Sequence, residues 1–278
     1  IWDDPATYAT IAGGRFVSVF QYDSSGIRGA SRALAPDKFD HLMALNALYR
    51  PGPMLPKSGT GGKSMMINYF DRRHGREAVE VWHPLLEETF KESFGIPMYQ
   101  EQIMALSKIV GKFTDEEADE YRVAIGKKDA IKFKAVQDKL ITRGIENGFG
   151  EKFMLETTKK LAGSARYNWN KSHAALYSYL SFVTAYLETH YPMEYYTQLL
   201  NVNLDDNDKL KILLASIIQK GITLLPPHIN HSGPMFQTDG KSIYMGLFSV
   251  RQLGETALDL IVADRNLDGP YKDYLDFH

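Results

Sequence analysis

The sequence contains no cysteine, and none of its apolar runs is long enough to cross a bilayer. The absence of cysteine excludes disulfides and thiolate metal sites. A lack of disulfides is typical of proteins of the reducing cytoplasm, where we expect this chain to work. A bilayer span needs about 20 consecutive apolar residues, so we expect no membrane partner. The chain starts with neither Met nor a charged leader, and we interpret its 278 residues as a fragment of a longer polypeptide.

An excess of charge of one sign is also lacking. The chain has 32 Lys and Arg against 34 Asp and Glu, and its net charge of −2 provides no overall field that attracts nucleic acid. Any such binding therefore depends on local basic patches. The nearest pair of histidines, His228 and His231 in "PPHINHSGP", has no supporting third ligand, which indicates loop histidines rather than a metal site.

Apolar residues recur at intervals of three and four over most of the chain, which predicts a mainly α fold. The stretches with this pattern are "FDHLMALNAL", "SMMINYFDRRHG", "HPLLEETFKESFG", "YQEQIMALSKIVGKF", residues 114–126, residues 130–146, "EKFMLETTKKLAG", "MEYYTQLLNVN", "DKLKILLASIIQKG" and "GETALDLIVADR". "TDEE" at Thr114–Glu117 is a capping box, which places a helix start at Thr114.

For the longest predicted helix and for one of these stretches, the sequence also predicts which residues share an apolar face. The longest predicted helix, "SHAALYSYLSFVTAYLETHY", is expected to be capped by Ser172 and to end before Pro192. Its apolar residues on one face are Leu176, Leu180, Val183 and Leu187. In the helix predicted over 130–146, the residues expected to point inward are Ile131, Val136, Leu140, Ile141 and Ile145.

Three segments suggest short strands. "GRFVSVFQYDSSGIRG" alternates between apolar and polar residues and is interrupted at Ser24, Ser25 and Gly26, while "ITLLPP" and "SIYMGLF" follow a change of composition after Gly221. We place a domain boundary in "NLDDND", near Asn203–Asp208, which divides the chain into residues 1–204 and 205–278.

The stretch "KSGTGGKS" at Lys57–Ser64 ends in the Gly-Lys-Ser of a phosphate-binding loop. That motif also requires a Gly five residues before Gly62 and a strand in front of it. Lys57 occupies the Gly position, and the preceding "YRPGPMLP" is rich in proline, which a sheet interior excludes. We therefore predict a flexible basic loop, with nucleotide hydrolysis through Lys63 as the weaker alternative.

Two other basic regions are candidates for phosphate binding. Arg122, Lys127 and Lys128 surround a predicted helix break at Gly126, and they form either a solvated helix face or an anion site. In "RYNWNKSHAALYS", cations and aromatic residues gather at a predicted helix N-terminus. This arrangement suits a nucleotide, but it equally suits a capped helix with aromatic core anchors, and both interpretations stay open.

Several ordered motifs resemble the fingers of the C-family DNA polymerases, the bacterial replicative polymerase III alpha subunits. They are "FDHLMALNALYRPGPM", "GIPMYQEQIM", "RVAIGKK" and "YNWNKSHAALYSYLSFVTAYLETHYP", followed in the same order by "LLPPHINHS" and "MGLFSVRQLGE". The resemblance covers nearly all of the chain. It implies a multi-helix fingers domain that grips the incoming nucleotide and the template, whereas aspartates in a separate palm domain bind the catalytic metals.

The resemblance also implies roles for individual residues. Those expected to bind the nucleotide are Arg122, Lys127, Lys128, Lys171, Ser172, His173 and Tyr177. Those expected to contact DNA are Arg50, Lys57, Lys63, Arg166, Arg251 and Gly254. One departure from the family pattern is Val123, which stands where the family has a second Arg beside Arg122.

The last part of the chain is expected to be a small α/β piece that resembles a helix-hairpin-helix element. Such an element holds DNA through backbone amides and contacts phosphate without reading the base sequence. The family segment is similar to "IKGVGE", whereas this chain has "VRQLGE". Gln252 therefore replaces the first Gly of the hairpin, and Gly254 matches the second.

The expected function is that of the fingers region of a DNA-directed DNA polymerase, inactive alone because neither a catalytic residue nor a metal site is recognised in it. Magnesium ions are expected in the palm of the parent polymerase. The expected partners are primer-template DNA, deoxynucleoside triphosphates, the rest of the polymerase chain and, through that rest, the sliding clamp and replisome subunits. The alternative is a stand-alone, non-catalytic DNA-binding module derived from the same fold. Palm motifs encoded in frame upstream would favour the first interpretation.

Overall fold

The computed structural model describes residues 2–126, 130–165 and 167–277. The chain forms two compact units: the first contains residues 1–15 and 20–183, and the second contains residues 16–19 and 184–278. The division between them falls inside a long helix. The boundary near Asn203–Asp208, which was drawn from composition, stays a prediction.

The fold is mainly α-helical, as predicted. The helices of the first unit are α1 (Pro5–Gly13), α2 (Ser25–Leu34), α3 (Phe39–Leu48), α4 (Pro51–Met54), α5 (Met65–Arg73), α6 (Glu87–Phe90), α7 (Gln100–Gly111), α8 (Asp115–Gly126), α9 (Ala130–Glu146) and α10 (Glu151–Ala165). Helix α11 (Lys171–His190) runs across the division. The second unit continues with α12 (Pro192–Val202), α13 (Asn207–Gln219), α14 (Glu255–Asp268) and α15 (Tyr274–Phe277). Short 3₁₀ turns occur at Pro84–Leu86, Lys91–Ser93 and Leu247–Ser249.

A hydrophobic core of the first unit lies among α7, α8, α9 and α10. Leu106, Tyr121 and Leu140 are fully buried there, each contributed by a different helix. Gly144 permits close packing of α9, because a Cβ at that position would lie 2.4 Å from the sulfur of Met154. The apolar spacing of three and four thus produces the packed helices that it predicts.

The start of α8 confirms the predicted capping box. The backbone N–H of Thr114 donates to Glu117 Oε2 at 3.0 Å, and the N–H of Glu117 donates to Thr114 Oγ1 at 3.3 Å. The facing predicted for α9 is only partly correct. Leu140 is buried, but Ile131 is 84% exposed and Ile145 is 42% exposed, so neither points into the core.

The strand predicted in "GRFVSVFQYDSSGIRG" is wrong. Ser18 and Gln21 have φ values of 62° and 64°, in the left-handed region, which breaks an extended chain. The predicted interruption at Ser24 and Ser25 is instead the start of α2, where Ser24 Oγ accepts the N–H of Ile27 at 3.4 Å. Serine favours caps as well as turns, and here the cap is formed.

Helix α11 ends at His190, before Pro192, as predicted. Its cap is not Ser172 but Asn170, whose Oδ1 accepts the N–H of His173 at 2.8 Å. The helix buries its small side chains, including Ala174 and Ser178, and Asn46 donates to Ser178 Oγ at 2.8 Å. The residues predicted to share an apolar face point largely outward: Leu176 is 61% exposed, Leu180 40% and Leu187 39%, and Val183 is half-buried, whereas Phe182 is fully buried.

The second unit combines helices with a three-stranded sheet of order β1–β3–β2. The strands are β1 (Thr223–Leu225), β2 (Gln237–Thr238) and β3 (Ser242–Tyr244), with β1 parallel and β2 antiparallel to β3. The strands predicted in "ITLLPP" and "SIYMGLF" are confirmed. Tyr196, Leu213 and Ile243 form part of a buried core that α12, α13 and the sheet share.

Candidate nucleotide-binding and DNA-binding residues

The loop before α11 is fixed by backbone pairing with the residues that precede α7. The N–H of Trp169 donates to the carbonyl of Met98 at 2.8 Å, and the N–H of Gln100 donates to the carbonyl of Trp169 at 2.9 Å. Asn168 is buried and donates to the carbonyl of Pro97 at 2.6 Å. These bonds hold Trp169 and the first turn of α11 in a defined position.

Two carboxylates lie at the start of α11. The N–H of Lys171 donates to both oxygens of Glu101, at 3.0 and 3.1 Å, and the Lys171 ammonium contacts Glu92 Oε2 at 2.6 Å. Helix N-termini favour negative groups, so Glu101 is placed where it stabilises the helix. The cation predicted to meet a nucleotide is therefore present, but it is paired with Glu92. Ser172 beside it is exposed.

A row of flat side chains runs along the first two turns of α11. The guanidinium carbon of Arg50 lies 4.2 Å from the centre of the Trp169 ring. The Trp169 and His173 ring centres are 5.1 Å apart, those of His173 and Tyr177 are 4.1 Å apart, and those of Tyr177 and Phe20 are 5.5 Å apart. All five side chains are half-buried. The structure thus brings His173 and Tyr177 together, as the spacing of one turn predicts.

Arg50 anchors one end of this row. Its Nε donates to the carbonyl of Ala47 at 2.6 Å, and its Nη2 donates to the carbonyl of Tyr167. Burial lowers the pKa of Arg50 to about 10, which leaves the guanidinium charged at neutral pH. The bond to Tyr167 and the contact with Trp169 tie Arg50 to the loop before α11, a role that local sequence did not reveal.

The other basic cluster is only partly described. Arg122 Nε donates to Asp119 Oδ1 at 2.7 Å, one turn earlier on α8, and the Arg122 side chain is 35% exposed. Lys127 and Lys128 lie outside the described residues, as does Arg166 from the predicted DNA-binding set.

The Gly-rich loop that contains Lys63 is closed by internal bonds. The Lys63 ammonium contacts Asp71 Oδ2 at 2.7 Å and Glu77 Oε2 at 3.1 Å, and these hydrogen bonds raise the pKa of Lys63. The N–H of Gly59 donates to the carbonyl of Lys63, the N–H of Lys63 donates to the carbonyl of Thr60, and the N–H of Thr60 donates to Asn68. Amides used in this way do not form the open cradle of a phosphate-binding loop.

The surroundings of the loop also differ from those of a phosphate-binding loop. The segment before it contains the short helix α4 rather than a strand, and Ser64 caps α5 by accepting the N–H of Ile67 at 3.2 Å. Lys57 is exposed at the wall of a cavity of about 190 Å³. Sequence reasoning missed Arg72, which lines the same cavity and whose side chain is 3% exposed.

Arg72 joins the loop to its supports. Its Nε contacts Glu77 at 2.8 Å, its Nη1 donates to the carbonyl of Phe94 at 2.9 Å, and its Nη2 donates to Thr60 Oγ1 at 2.9 Å. A buried guanidinium with three partners fixes the loop against the turn at Phe94. In the sequence, Arg72 stands next to Arg73 in "DRRHG", and nothing there indicates which of the two arginines is buried.

The C-terminal hairpin forms although Gln252 replaces a Gly. Gln252 has a φ of 68°, the left-handed conformation that Gly adopts most readily. Gly254 directly precedes α14, with a φ of −76°. Arg251 is exposed beside them, on the turn that follows the 3₁₀ turn Leu247–Ser249.

Comparisons with known proteins agree with this architecture. Residues 1–148 match the model of the bacterial DNA polymerase III alpha subunit finger domain. The chain belongs to that family. Residues 221–278 match a helix-hairpin-helix motif, which includes Arg251, Gln252 and Gly254.

Curated relatives extend the likeness to the whole chain. DNA polymerase III subunit alpha of Chlamydia trachomatis is 37% identical over 275 residues, that of Aquifex aeolicus is 38% identical over 276, and that of Thermus aquaticus is 36% identical over 284. Each match covers 99% of this chain and 22 or 23% of the relative. The finger-domain chain thus spans less than a quarter of each of these three relatives.

Neither a membrane span nor a metal cluster is found where the structure can be described. Within residues 2–126, 130–165 and 167–277, no helix combines the length and the apolar character needed to cross a membrane. Over the same ranges, no three His, Cys, Asp or Glu side chains are grouped so that they could hold a metal ion.

Proposed function

We propose that this chain is the finger region of a DNA-directed DNA polymerase and binds the incoming deoxynucleoside triphosphate and the primer-template DNA. One observation carries the proposal: the start of α11 combines the Lys171 ammonium with the row of rings that includes Trp169, His173 and Tyr177. A lysine is a point charge suited to phosphate, and aromatic faces suit a nucleotide base.

Nucleotide binding at α11 requires an exchange of anions. Lys171 releases Glu92 and takes an oxygen of the β- or γ-phosphate, while His173 donates to a neighbouring oxygen and Tyr177 lies near the sugar or base. The pair with Glu92 is 30 to 38% exposed, so water and salt weaken it, and a triphosphate with several charges competes well. Charge that develops on the transferred phosphate makes such contacts stronger in the transition state.

The remaining assignments follow the family resemblance. We assign Arg122, Lys127, Lys128 and Ser172 to the same nucleotide, and we assign Arg50, Lys57, Lys63, Arg166, Arg251 and Gly254 to DNA. Lys57 and Arg251 are the most favourable of these DNA contacts, because both side chains are exposed. Residues 1–204 act as the fingers, and residues 205–278 carry the helix-hairpin-helix element.

Catalysis in this proposal depends on parts of the polymerase outside the chain. Two-metal phosphoryl transfer uses carboxylates that hold magnesium, and we place them in the palm of the longer polymerase. The sliding clamp and other replisome subunits are contacted through those other parts, in the cytoplasm. We expect the 278-residue chain to fold and to show no primer extension with magnesium or manganese, and nucleotide incorporation by the pure chain would contradict this.

DNA binding is tested by titration at several salt concentrations. We expect weak binding without sequence preference, with an affinity that falls steeply as salt rises, because the contacts are cations to phosphate. Lys57→Ala and Arg251→Ala should each make the plot of log affinity against log salt shallower, with the magnitude of its slope reduced by about one. Lys91→Ala, another exposed lysine, is the control and should leave the slope unchanged. Sequence selectivity or indifference to salt would contradict the assignment.

A further inference from the structure

Helix α11 leaves several large side chains exposed on one face, although Phe182 on the same helix is fully buried. Leu176 is 61% exposed, Tyr179 45% and Leu180 40%, and their spacing of three and four places them on one face. The opposite face buries Ala174 and Ser178. A cluster of exposed apolar side chains on one helix face is typical of a surface that another element covers.

Trp2 enlarges this face. Its side chain is 41% exposed, and its ring centre lies 5.1 Å from those of Tyr179 and Phe182 and 5.4 Å from that of Phe39. We use the name Trp2 patch for the surface formed by Trp2, Leu176, Tyr179 and Leu180. Tryptophan and tyrosine are enriched among the residues that contribute most to protein–protein binding, which makes this patch well suited to a protein partner.

Acidic residues surround the aromatic end of the Trp2 patch. Asp3 and Asp4 follow Trp2 in the chain, and Asp40 follows Phe39. Burial raises the pKa of Tyr8 to about 12, and the nearby charges of Asp3, Asp40, Asp37 and Asp4 add to the effect. The Tyr8 hydroxyl donates to the carbonyl of Trp2 at 2.8 Å, so these carboxylates lie close to the patch.

Basic residues offset this acidity only in part. Lys38 Nζ lies 3.8 Å from Asp40 Oδ2, and Arg73 Nη2 lies 3.0 Å from Asp37 Oδ2. These two cations stand against the four carboxylates whose charges help to raise the pKa of Tyr8. The rim therefore keeps an excess of negative charge, which repels a phosphate backbone and favours a surface with basic groups. This argues against DNA as the cover of the patch.

We propose that the Trp2 patch is an interface for the remainder of the polymerase chain, covered by a surface with an apolar centre and a basic rim. The inference rests on the proposed function, in which this chain works as part of a longer polymerase. The relatives support that occupant, because the matching region makes up only 22 or 23% of their length and most of such a chain lies elsewhere.

The test is hydroxyl-radical footprinting of side chains in the 278-residue chain and in the longer polymerase that contains it. We expect oxidation of Leu176 and Tyr179 to be severalfold lower in the longer protein. Leu155, which is 51% exposed on α10, is the matched control and should be oxidised equally in both. Equal oxidation of Leu176 and Tyr179 in the two proteins would overturn the inference.

A second measurement separates the other occupants. Sedimentation of the 278-residue chain should show a monomer whose mass is unaffected by Leu176→Glu, and a dimer that this substitution abolishes would overturn the inference in favour of a second copy. Loss of DNA affinity in Leu176→Glu would likewise overturn it. The proposed function fails separately, if the gene encodes no palm motifs in frame with this chain. If the polymerase is active but Leu176 is not protected from oxidation, only the proposed interface is contradicted.

Discussion

Lys63 and Lys171 are two lysines at the starts of helices, and their surroundings differ. Lys63 precedes α5 in a loop whose sequence imitates a nucleotide motif, and it is held by two carboxylates, Asp71 and Glu77. Lys171 begins α11 without any such motif, and its ammonium contacts Glu92 and lies 5.8 Å from the centre of the Tyr99 ring. The Lys63 loop uses the amides of Gly59, Thr60 and Lys63 internally, whereas the first two turns of α11 carry the His173 and Tyr177 rings on the same helix as Lys171.

This difference shows that a short motif does not determine the chemistry of a lysine. The Gly-Lys-Ser sequence of the loop lacks the preceding strand of such a motif, and its Lys63 amide is already bonded to the carbonyl of Thr60. The aromatic residues on either side of Lys171 in "RYNWNKSHAALYS" are a better guide to its chemistry than a three-residue motif. Each side of the comparison can be weakened separately by substitution.

The largest effect is expected from removing Arg72, which supports the Lys63 loop. Arg72→Ala removes the buried guanidinium that bonds Glu77, Thr60 and the carbonyl of Phe94, and should lower the free energy of unfolding by about 3 kcal/mol. Arg76→Ala is the matched control on the exposed side of the same network, 2.8 Å from Asp71, and should cost less than about 1 kcal/mol. Urea unfolding measures both. Equal losses in the two variants would contradict the role given to Arg72.

A smaller effect is expected at the α11 side. Arg50→Ala removes two hydrogen bonds to carbonyls and the contact with Trp169, and should lower the free energy of unfolding by about 1–3 kcal/mol. Arg50→Lys keeps the charge but not the planar fork, so it should restore only part of the loss. Thermal unfolding with Trp fluorescence checks this. Full recovery in Arg50→Lys would show that charge alone matters.

The smallest effect is a dependence on pH at the Lys63 side. Hydrogen bonds from Lys63 and then Arg76 lower the pKa of Asp71 in the folded chain. A carboxyl group with a lowered folded pKa stabilises the fold above its unfolded pKa and loses that contribution as the pH falls through the folded value. Stability should therefore decline below about pH 5, and less so in Asp71→Asn. Identical pH profiles of urea unfolding in the two proteins would refute this.

Much of the helical fold can be predicted from apolar spacing, as α8, α9 and the end of α11 before Pro192 illustrate. Which face of α11 is buried cannot, because the pattern shows an apolar stripe but not what covers it. The partners of Lys171 were also beyond local sequence: Glu92 and Glu101 lie 79 and 70 residues away and meet it only in the folded chain. The left-handed Ser18 and Gln21 escaped prediction because non-Gly residues rarely adopt that conformation.

The central claim is that Lys171, and not Lys63, meets the nucleotide, and steady-state incorporation kinetics of the longer polymerase test it most directly. Lys171→Ala should lower kcat/KM for the nucleotide by roughly ten- to a thousandfold, with the affinity for primer-template DNA nearly unchanged. Lys63→Ala, the matched control, should leave kcat/KM for the nucleotide unchanged. The claim is contradicted if Lys63→Ala has the larger effect, or if Lys171→Ala weakens primer-template binding while nucleotide kinetics stay intact.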